Sequence, residues 1–287
     1  MDKKEIKCYL CKKKSLKYYV QKQGTKYYKC SNCNLIQQLL IPEKNIINNI
    51  YDGNEVYFLN DNKGLNLKEA TTIAYKQYFF YSIMKPYLKN KNIKILDIGA
   101  GTGLLLKLLK SKQYNNLEGV ELSRWACNIA KNEFNLNVKN INIEEADFSI
   151  NHFDLIIANH ILEHLLKPIN IFNKINSFLK PGGILFLSTP NGTCLNFRLV
   201  KKKWRHLIPN EHIFLFNEKS LKLFLKKTNF KLLELRKRLY SDGNLLTYIK
   251  KLLYPIFLDI KRKIRHQDPL NNFLTFRDGL ITVSMKK

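Results

Sequence analysis

The residues whose types and spacing could do chemistry are four cysteines, a glycine-rich turn with two acidic strand ends, and two histidine clusters. Cys8, Cys11, Cys30 and Cys33 form C-x2-C-x18-C-x2-C. Each pair makes a tight knuckle whose thiolates converge on one ion. Four such ligands close a tetrahedral site with no open position for water, so the expected metal is a structural zinc. Metal binding contributes about 10–16 kcal/mol in small zinc peptides, enough to order a segment with almost no core of its own. Four free thiols in a disordered tail is the bland alternative, and two correctly spaced pairs argue against it.

Ile95 to Gly103 reads Ile-Leu-Asp-Ile-Gly-Ala-Gly-Thr-Gly, a buried strand that breaks into a turn and opens a helix at Leu104. Glycines are needed where a ligand approaches the backbone closely. A dinucleotide turn would read G-x-G-x-x-G, but here Gly103 is followed by three leucines. The next strand, Leu117 to Ser123, ends in Glu121 after one intervening helix. An acidic residue at that strand end can accept both hydroxyls of a ribose. Ser123 is placed to cap the helix that follows.

Asn159-His-Ile-Leu-Glu-His-Leu-Leu-Lys-Pro168 follows a later apolar strand. The pattern predicts a helix there, with His160 and His164 four apart on one face and Glu163 beside them. These three could bind a divalent metal or act as a general base; the alternative is that Glu163 and His164 bond each other or backbone and organise the loop. A second cluster, Trp204 to Ile213, contains Pro-Asn-Glu-His and offers His212 as a base for a hydroxyl acceptor, since histidine can titrate near neutral pH. Ordering of its own loop is the equal alternative for His212.

The elements that must position these groups follow from periodicity. Leu16 to Val20 and Thr25 to Lys29 read as strands between the cysteine pairs. Pro42 to Leu65 reads as a linker with one short helix near 44–50, and Leu67 to Lys85 as a longer helix ended by Pro86 and lying over the ligand cleft. From Ile93 short apolar strands alternate with amphipathic helices, which predicts a parallel sheet covered on both faces, with strands at 93–98, 117–121, 136–139, 153–158, 183–189, 230–238 and 279–285. The Pro-Gly-Gly turn at 181–183 should end a helix and start a strand. Residues 245–264 interleave basic and apolar side chains and could lie on an anionic membrane surface or form a lid.

The chain has 287 residues and a formal charge of +26, with pI near 9.7. Its lysines are scattered among abundant asparagine and isoleucine, so a solvated basic surface is expected and nucleic acid is not expected as a partner. No stretch approaches the ~20 apolar residues of a membrane span, and Met1 to Lys14 holds no apolar segment of signal-peptide length, so export is not expected. The expected location is cytoplasmic, with peripheral contact to the inner membrane through 245–264 as an option. Cys127 and Cys194 are singletons, as suits a reducing compartment.

The ordered pair of Gly99–Gly103 and Glu121 resembles the class I S-adenosylmethionine (SAM) methyltransferases, over roughly Leu67 to the C-terminus. That resemblance implies an α/β, Rossmann-like seven-stranded fold. It implies that Asp97, Gly99, Ala100, Gly101 and Gly103 wrap SAM, with Asp97 accepting from the amino group of its methionine part. Glu121 and Leu122 then lie at the ribose, Asn142 by the adenine in place of the usual acidic residue, and Asn159 beside the sulfonium. The domain plan is a ribbon at 1–41, a linker at 42–65 and the methyltransferase domain at 66–287, with a lid near 241–275. Glu163-His164 is similar to a motif of quinone-biosynthesis O-methyltransferases in which two glutamates and a histidine are implicated in metal binding, with His160 where the first glutamate would stand. The ribbon, helical linker and Pro-Asn-Glu-His pattern together look like bacterial methyltransferases of surface-glycan and sugar-nucleotide pathways. The expected acceptor is therefore a sugar, nucleotide-sugar or glycan; RNA and a quinone precursor are the alternatives. The Asn159-His160 sequence lacks the Pro-Pro-aromatic signature of base-amine methylation, and the intact Asp97, turn and Glu121 argue against a non-catalytic scaffold.

Overall fold

The computed structural model describes residues 6–39, 77–237 and 279–287. In chain order these form β1 (Leu16–Lys22), β2 (Thr25–Cys30), β3 (Ile36–Gln38), α1 (77–84), β4 (Ile95–Ile98), α2 (Leu104–Ser111), β5 (Leu117–Glu121), α3 (Arg124–Phe134) and β6 (Asn137–Asn140). There follow β7 (Phe153–Asn159), α4 (Pro168–Phe178), β8 (Leu179–Pro190), α5 (Leu195–Val200), β9 (Phe214–Leu215), α6 (Glu218–Lys227), β10 (Phe230–Lys237) and β11 (Gly279–Lys286).

The large sheet has the order β10-β11-β8-β7-β4-β5-β6. Its strands from β8 to β6 pair in parallel, whereas β11 is antiparallel to both β8 and β10. The sheet is therefore mixed, not wholly parallel. Apolar runs reveal a strand but not its direction, so the reversal of β11 was not legible from periodicity.

Strands buried on both faces occupy the middle. On β8, Leu185 and Leu187 enter one core with Phe172 of α4 and Phe224 of α6, while Ile184 and Phe186 enter a second core with Phe80 of α1 and Leu105 of α2. β7 alternates likewise, with Ile156 and Ala158 on the first side and Leu155 and Ile157 on the second. The rings of Phe172 and Phe224 lie 5.0 Å apart and both are fully buried, a packing whose loss by truncation costs about 3–5 kcal/mol.

Capping places the helices as the sequence suggests. Ser123 Oγ accepts from Ala126 N to start α3, Asn217 and Ser220 form a capping box on α6, and Pro168 takes the first turn of α4. The Pro-Gly-Gly segment differs from expectation. α4 ends at Phe178, Leu179 already pairs with Phe153, and the next pairs resume at Leu155 with Ile184, so residues 180–183 bulge out within β8 with Gly182 at φ 72°.

The small sheet has the order β1-β2-β3-β9. Its fourth strand comes from far along the chain, with Ile36 opposite Leu215 and Gln37 opposite Phe214. The expected ribbon at 1–41 is therefore not a free-standing unit. Cys8, Leu10, Cys30, Cys33 and Leu35 share a core with Ile213, Phe214 and Phe216, because so small a segment cannot bury enough apolar surface alone. The linker 42–65 with its helix near 44–50, most of the helix expected at 67–85, and the 241–275 lid with its 245–264 stretch lie outside the described residues. Among the described residues no helix is long and apolar enough to cross a membrane.

Candidate active site

β4 and β5 end side by side, and the turn after β4 is stitched to β5. The N–H groups of Gly99 and Ala100 donate to Val120 O at 2.8 and 3.1 Å. Gly99 and Gly103 have φ of 70° and 78°. A Cβ on Gly99 would stand 2.1 Å from Ile161 Cδ1, and one on Gly103 2.7 Å from Leu136 Cδ1. Both positions thus require glycine for conformation, while the side-chain tips of Ile161 and Leu136 would have to shift to admit a Cβ. Gly101 N donates to Glu121 Oε2 and Ser123 N to Glu121 Oε1, each at 2.9 Å. Each oxygen keeps a further lone pair with which to accept a hydroxyl. Burial pushes the Glu121 carboxyl up, and the backbone bonds from Ser123, Gly101 and Leu122 oppose that. Asp97 is buried at the end region of β4; burial, and then the charge of Glu121, push its carboxyl up to about 8. Leu122 O accepts from Asn140 Nδ2 at 2.7 Å, which ties the strand end to β6. Asn142 Oδ1 accepts from Glu144 N at 2.9 Å in an Asx turn, and Ile143 packs into the core.

The end of β7 carries the second group. Ser188 Oγ of β8 donates to Asn159 Oδ1, and His160 follows with φ 57° and its N–H on Ser188 O at 3.0 Å. The helix expected from His160 does not form there. Residues Leu162–His164 make a single 3-10 turn, and α4 starts only at Pro168. The left-handed residue at 160 and the β8 contact redirect the chain, so His160 and His164 do not share an α-helical face. Instead Glu163 becomes the centre. It is fully buried, accepts from Thr189 Oγ1 at 2.9 Å, and bonds His160 Nδ1 at 3.0 Å. Burial alone would raise this carboxyl, yet the His160 bond and the neighbouring imidazoles hold it well below the usual range. The Thr189 bond adds a donor that does not depend on protonation.

Four of the chain's six histidines gather here. The His164 and His212 rings meet edge to face at 4.6 Å, and His206 stacks between His160 and His212 at 6.2 Å from each. His212 is buried, with Nδ1 2.7 Å from His206 O. A carbonyl only accepts, so Nδ1 carries the proton and Nε2 the lone pair. Burial, followed by the charge of His164, lowers His212 to about 3. Burial therefore keeps His212 neutral where the sequence suggested it would titrate, and its Nδ1 bond to His206 O ties it to its own loop while Nε2 keeps its lone pair. Among these rings His160 is the more open, with its side chain 36% exposed, and Glu163 orients it. Glu163, His164 and His212 bring one ligand atom each within 4.8 Å of one another and could hold a cation.

The cysteine site is equally compact. All four Sγ atoms lie within 4.8 Å of one another, with Cys8–Cys33 at 3.6 Å and Cys11–Cys30 at 3.5 Å. Zinc–sulfur bonds of ~2.3 Å imply edges of about 3.8 Å, so the donors fit a four-thiolate zinc. Each knuckle closes on a left-handed residue, Lys12 at φ 61° and Asn34 at φ 62°. The bond from Cys33 lowers Cys8 to about 5 and raises Cys33, as expected of thiols too close to ionise together without a cation.

Residues 74–235 match the profile of a family described as a methyltransferase domain, more than half of the chain. The chain belongs to this methyltransferase domain family. The fold is that of the class I SAM-dependent methyltransferases. A SAM-dependent methyltransferase from Archaeoglobus fulgidus superposes with TM-score 0.54 at 19% identity, over 80% of this chain and 99% of the other. One from Methanosarcina mazei gives 0.52 at 20% identity, over 72% and 97%. Among curated relatives, the ubiquinone biosynthesis O-methyltransferase of Coxiella burnetii is 36% identical over 109 residues, 36% of this chain and 45% of the relative. The protein of the same name from Haemophilus ducreyi is 30% identical over 117 residues, 37% of this chain and 49% of that one. The chain spans a little under half the length of these relatives.

Within the methyltransferase fold, Asp97, the glycine turn, Glu121 and Leu122 come together on adjoining strand ends, with Asn142 on the following loop and Asn159 at the end of β7. Thr189 and Gln38 were missed as parts of the histidine cluster, and His206, inside the Trp204 to Ile213 segment, was given no role of its own. Thr189 and Gln38 lie in apolar strand contexts with no pattern of their own, and only the sheet brings them near Glu163 and His212.

Proposed function

We propose that this chain methylates a hydroxyl of a nucleotide-sugar, with SAM as donor and a structural zinc in the ribbon. Membership of the methyltransferase family and the Asp97, Gly99–Gly103, Glu121 cradle support the donor. SAM supplies an electrophilic methyl group when bound. Asp97 would accept from its ammonium group and Glu121 from its ribose hydroxyls, while Gly99 and Gly103 keep the turn free of side chains. Asn159 and His160 stand at the adjoining end of β7. Glu163 holds the Nδ1 of His160, which leaves Nε2 to orient a hydroxyl.

The acceptor class rests on one observation. An open groove of about 660 Å³ lies beyond the end of β8, lined by Asn34, Asn191, Thr193, Arg198, Asn217, Glu218, Lys219, Lys222 and Lys237. Lys222 and Lys237 share the single carboxylate of Glu218 at 2.8 Å, so the lining is net positive, with Arg198 and Lys219 outside those ion pairs. Ligands of open α/β sheets bind at the carboxyl ends of the strands, and the groove adjoins that edge. Its charge suits a diphosphate. The test is methyl-labelled SAM offered with a panel of nucleotide-sugars and with the free sugars. Label should enter a nucleotide-sugar, and Arg198→Ala with Lys219→Ala should raise KM for it about tenfold without changing SAM affinity. Equal use of free sugars, or an unchanged KM, would remove the diphosphate from the proposal.

A second reading follows the curated relatives, which are ubiquinone biosynthesis O-methyltransferases: a hydroxyl of a quinone precursor, with a divalent cation at Glu163, His164 and His212. The convergence of those three donors favours it. A hydroxylated quinone precursor in the same panel, methylated only with added divalent cation, would select this reading.

A further inference from the structure

The ribbon and the histidine cluster are joined through one buried amide. Gln38, at the end of β3, is 1% exposed. Its Nε2 donates to His212 O at 3.1 Å and to Tyr27 OH at 3.0 Å, and its backbone N–H donates to Ile213 O at 3.0 Å. The N–H of the same Ile213 donates to Glu163 O at 2.9 Å. The peptide that carries the His212 ring is thus held between the ribbon and the Glu163 turn.

Both cysteine knuckles reach the same strand pair. In the first, Tyr9 N donates to Gln37 Oε1 at 2.8 Å, and the Tyr9 ring lies 4.8 Å from Phe214. In the second, Asn34 O accepts from Asn217 Nδ2 at 2.6 Å, and Cys30 N bonds Leu35 O at 2.8 Å as the chain enters β3. β3 and β9 exchange few bonds, so the side-chain ties carry much of the alignment. Gln38 Oε1 has no partner among the described residues although it is buried. A polar side chain kept in an apolar wall at that cost is explained by what its amino group holds.

We infer that Gln38 is a positioning residue: the metal-filled ribbon uses its amide to set the His212–Ile213 peptide, and through it the register of His212 against His164 and Glu163. This rests on the methyltransferase reading only in that the cluster is taken as the acceptor side. The zinc ribbon is then a wall of the active site. Because coupling between two sites is reciprocal, rearranging the cluster should also change the hold on the metal.

The test uses the full metal-loaded chain with labelled histidine rings. Gln38→Met keeps the side-chain length, the apolar packing and the backbone N–H but removes the donor to His212 O. It should shift the His212 and His164 ring resonances and speed amide exchange at Ile213 and Phe214 about tenfold, the loss of one ordinary hydrogen bond. SAM affinity, which reads the ends of β4 and β5, should stay within about twofold. Stripping the ribbon metal from the parent chain should move the same resonances in the same direction. Unchanged rings and exchange in Gln38→Met would overturn the proposal. So would metal removal that leaves the cluster untouched, or one that abolishes SAM binding as well, since the ribbon would then support the whole fold and not this peptide. If the parent chain never binds SAM, the methyltransferase reading fails, while the histidine resonances still decide the coupling.

Discussion

Asp97 and Glu121 show how far a residue's role depends on what surrounds it. Both were legible as strand-end acids, but the sequence does not say that Glu121 is braced by two backbone N–H groups while burial holds Asp97 near 8. The sign of the consequence is fixed. Free protein keeps a proton on Asp97 between the ordinary carboxyl range and about 8, whereas an ammonium partner favours the carboxylate. SAM binding at pH 7 should therefore release a proton, and affinity should rise with pH up to about 8. Asp97→Asn should bind more weakly and lose the proton release. Calorimetry in two buffers of different ionisation enthalpy measures this, and equal heats for the parent protein would refute it. For folding the same shift acts oppositely to a salt-bridged acid: the folded state binds the extra proton, so this residue's contribution declines as pH rises from about 4 to about 8.

At the scale of elements, the ribbon is the one whose meaning changed most. Its hairpin and cysteine spacing were readable because both are local, and β1 and β2 form where expected. Its pairing with β9 joins residues some 180 positions apart, and a three-residue strand such as β3 has no periodicity to detect. Purified protein should hold one zinc per chain by metal analysis. Cys11→Ser should lower that stoichiometry and, because the ribbon shares a core with Phe214 and Phe216, should destabilise the catalytic body too, seen as a lower Tm. All four thiols alkylating freely in the native, metal-free protein would sink the zinc assignment. The His160 segment gives the opposite lesson. An i, i+4 spacing suggested a helix, but residue 160 adopts left-handed backbone under contacts from β8, and the turn that results points Glu163 inward.

For the whole molecule, the +26 charge is the feature most open to misreading. A polyelectrolyte effect predicts that this chain will bind RNA weakly and without sequence preference at low salt. That affinity should fall by about 10³-fold or more between 50 and 200 mM salt if six or more phosphates are neutralised. Label from SAM should not enter the RNA at any salt. Salt-resistant binding with methylated RNA would reverse the choice of substrate class. In the proposed function the charge that would matter is more local, the net positive lining beside the end of β8, to which α5 brings Arg198 and α6 brings Lys219.

The sequence by itself determined the family, the glycine turn with its strand-end acids and the pairing of the cysteines, because each is a short segment whose backbone demands particular residues at particular spacings: glycine at Gly99 and Gly103, an acid at Glu121, cysteine pairs two apart. Tertiary structure alone decided the direction of β11, the burial that keeps His212 uncharged at neutral pH, the Thr189 bond to Glu163, and the Gln38 link from ribbon to cluster. Those properties arise from contacts between distant segments, where burial and hydrogen-bond partners set the chemistry, and no local pattern carries them.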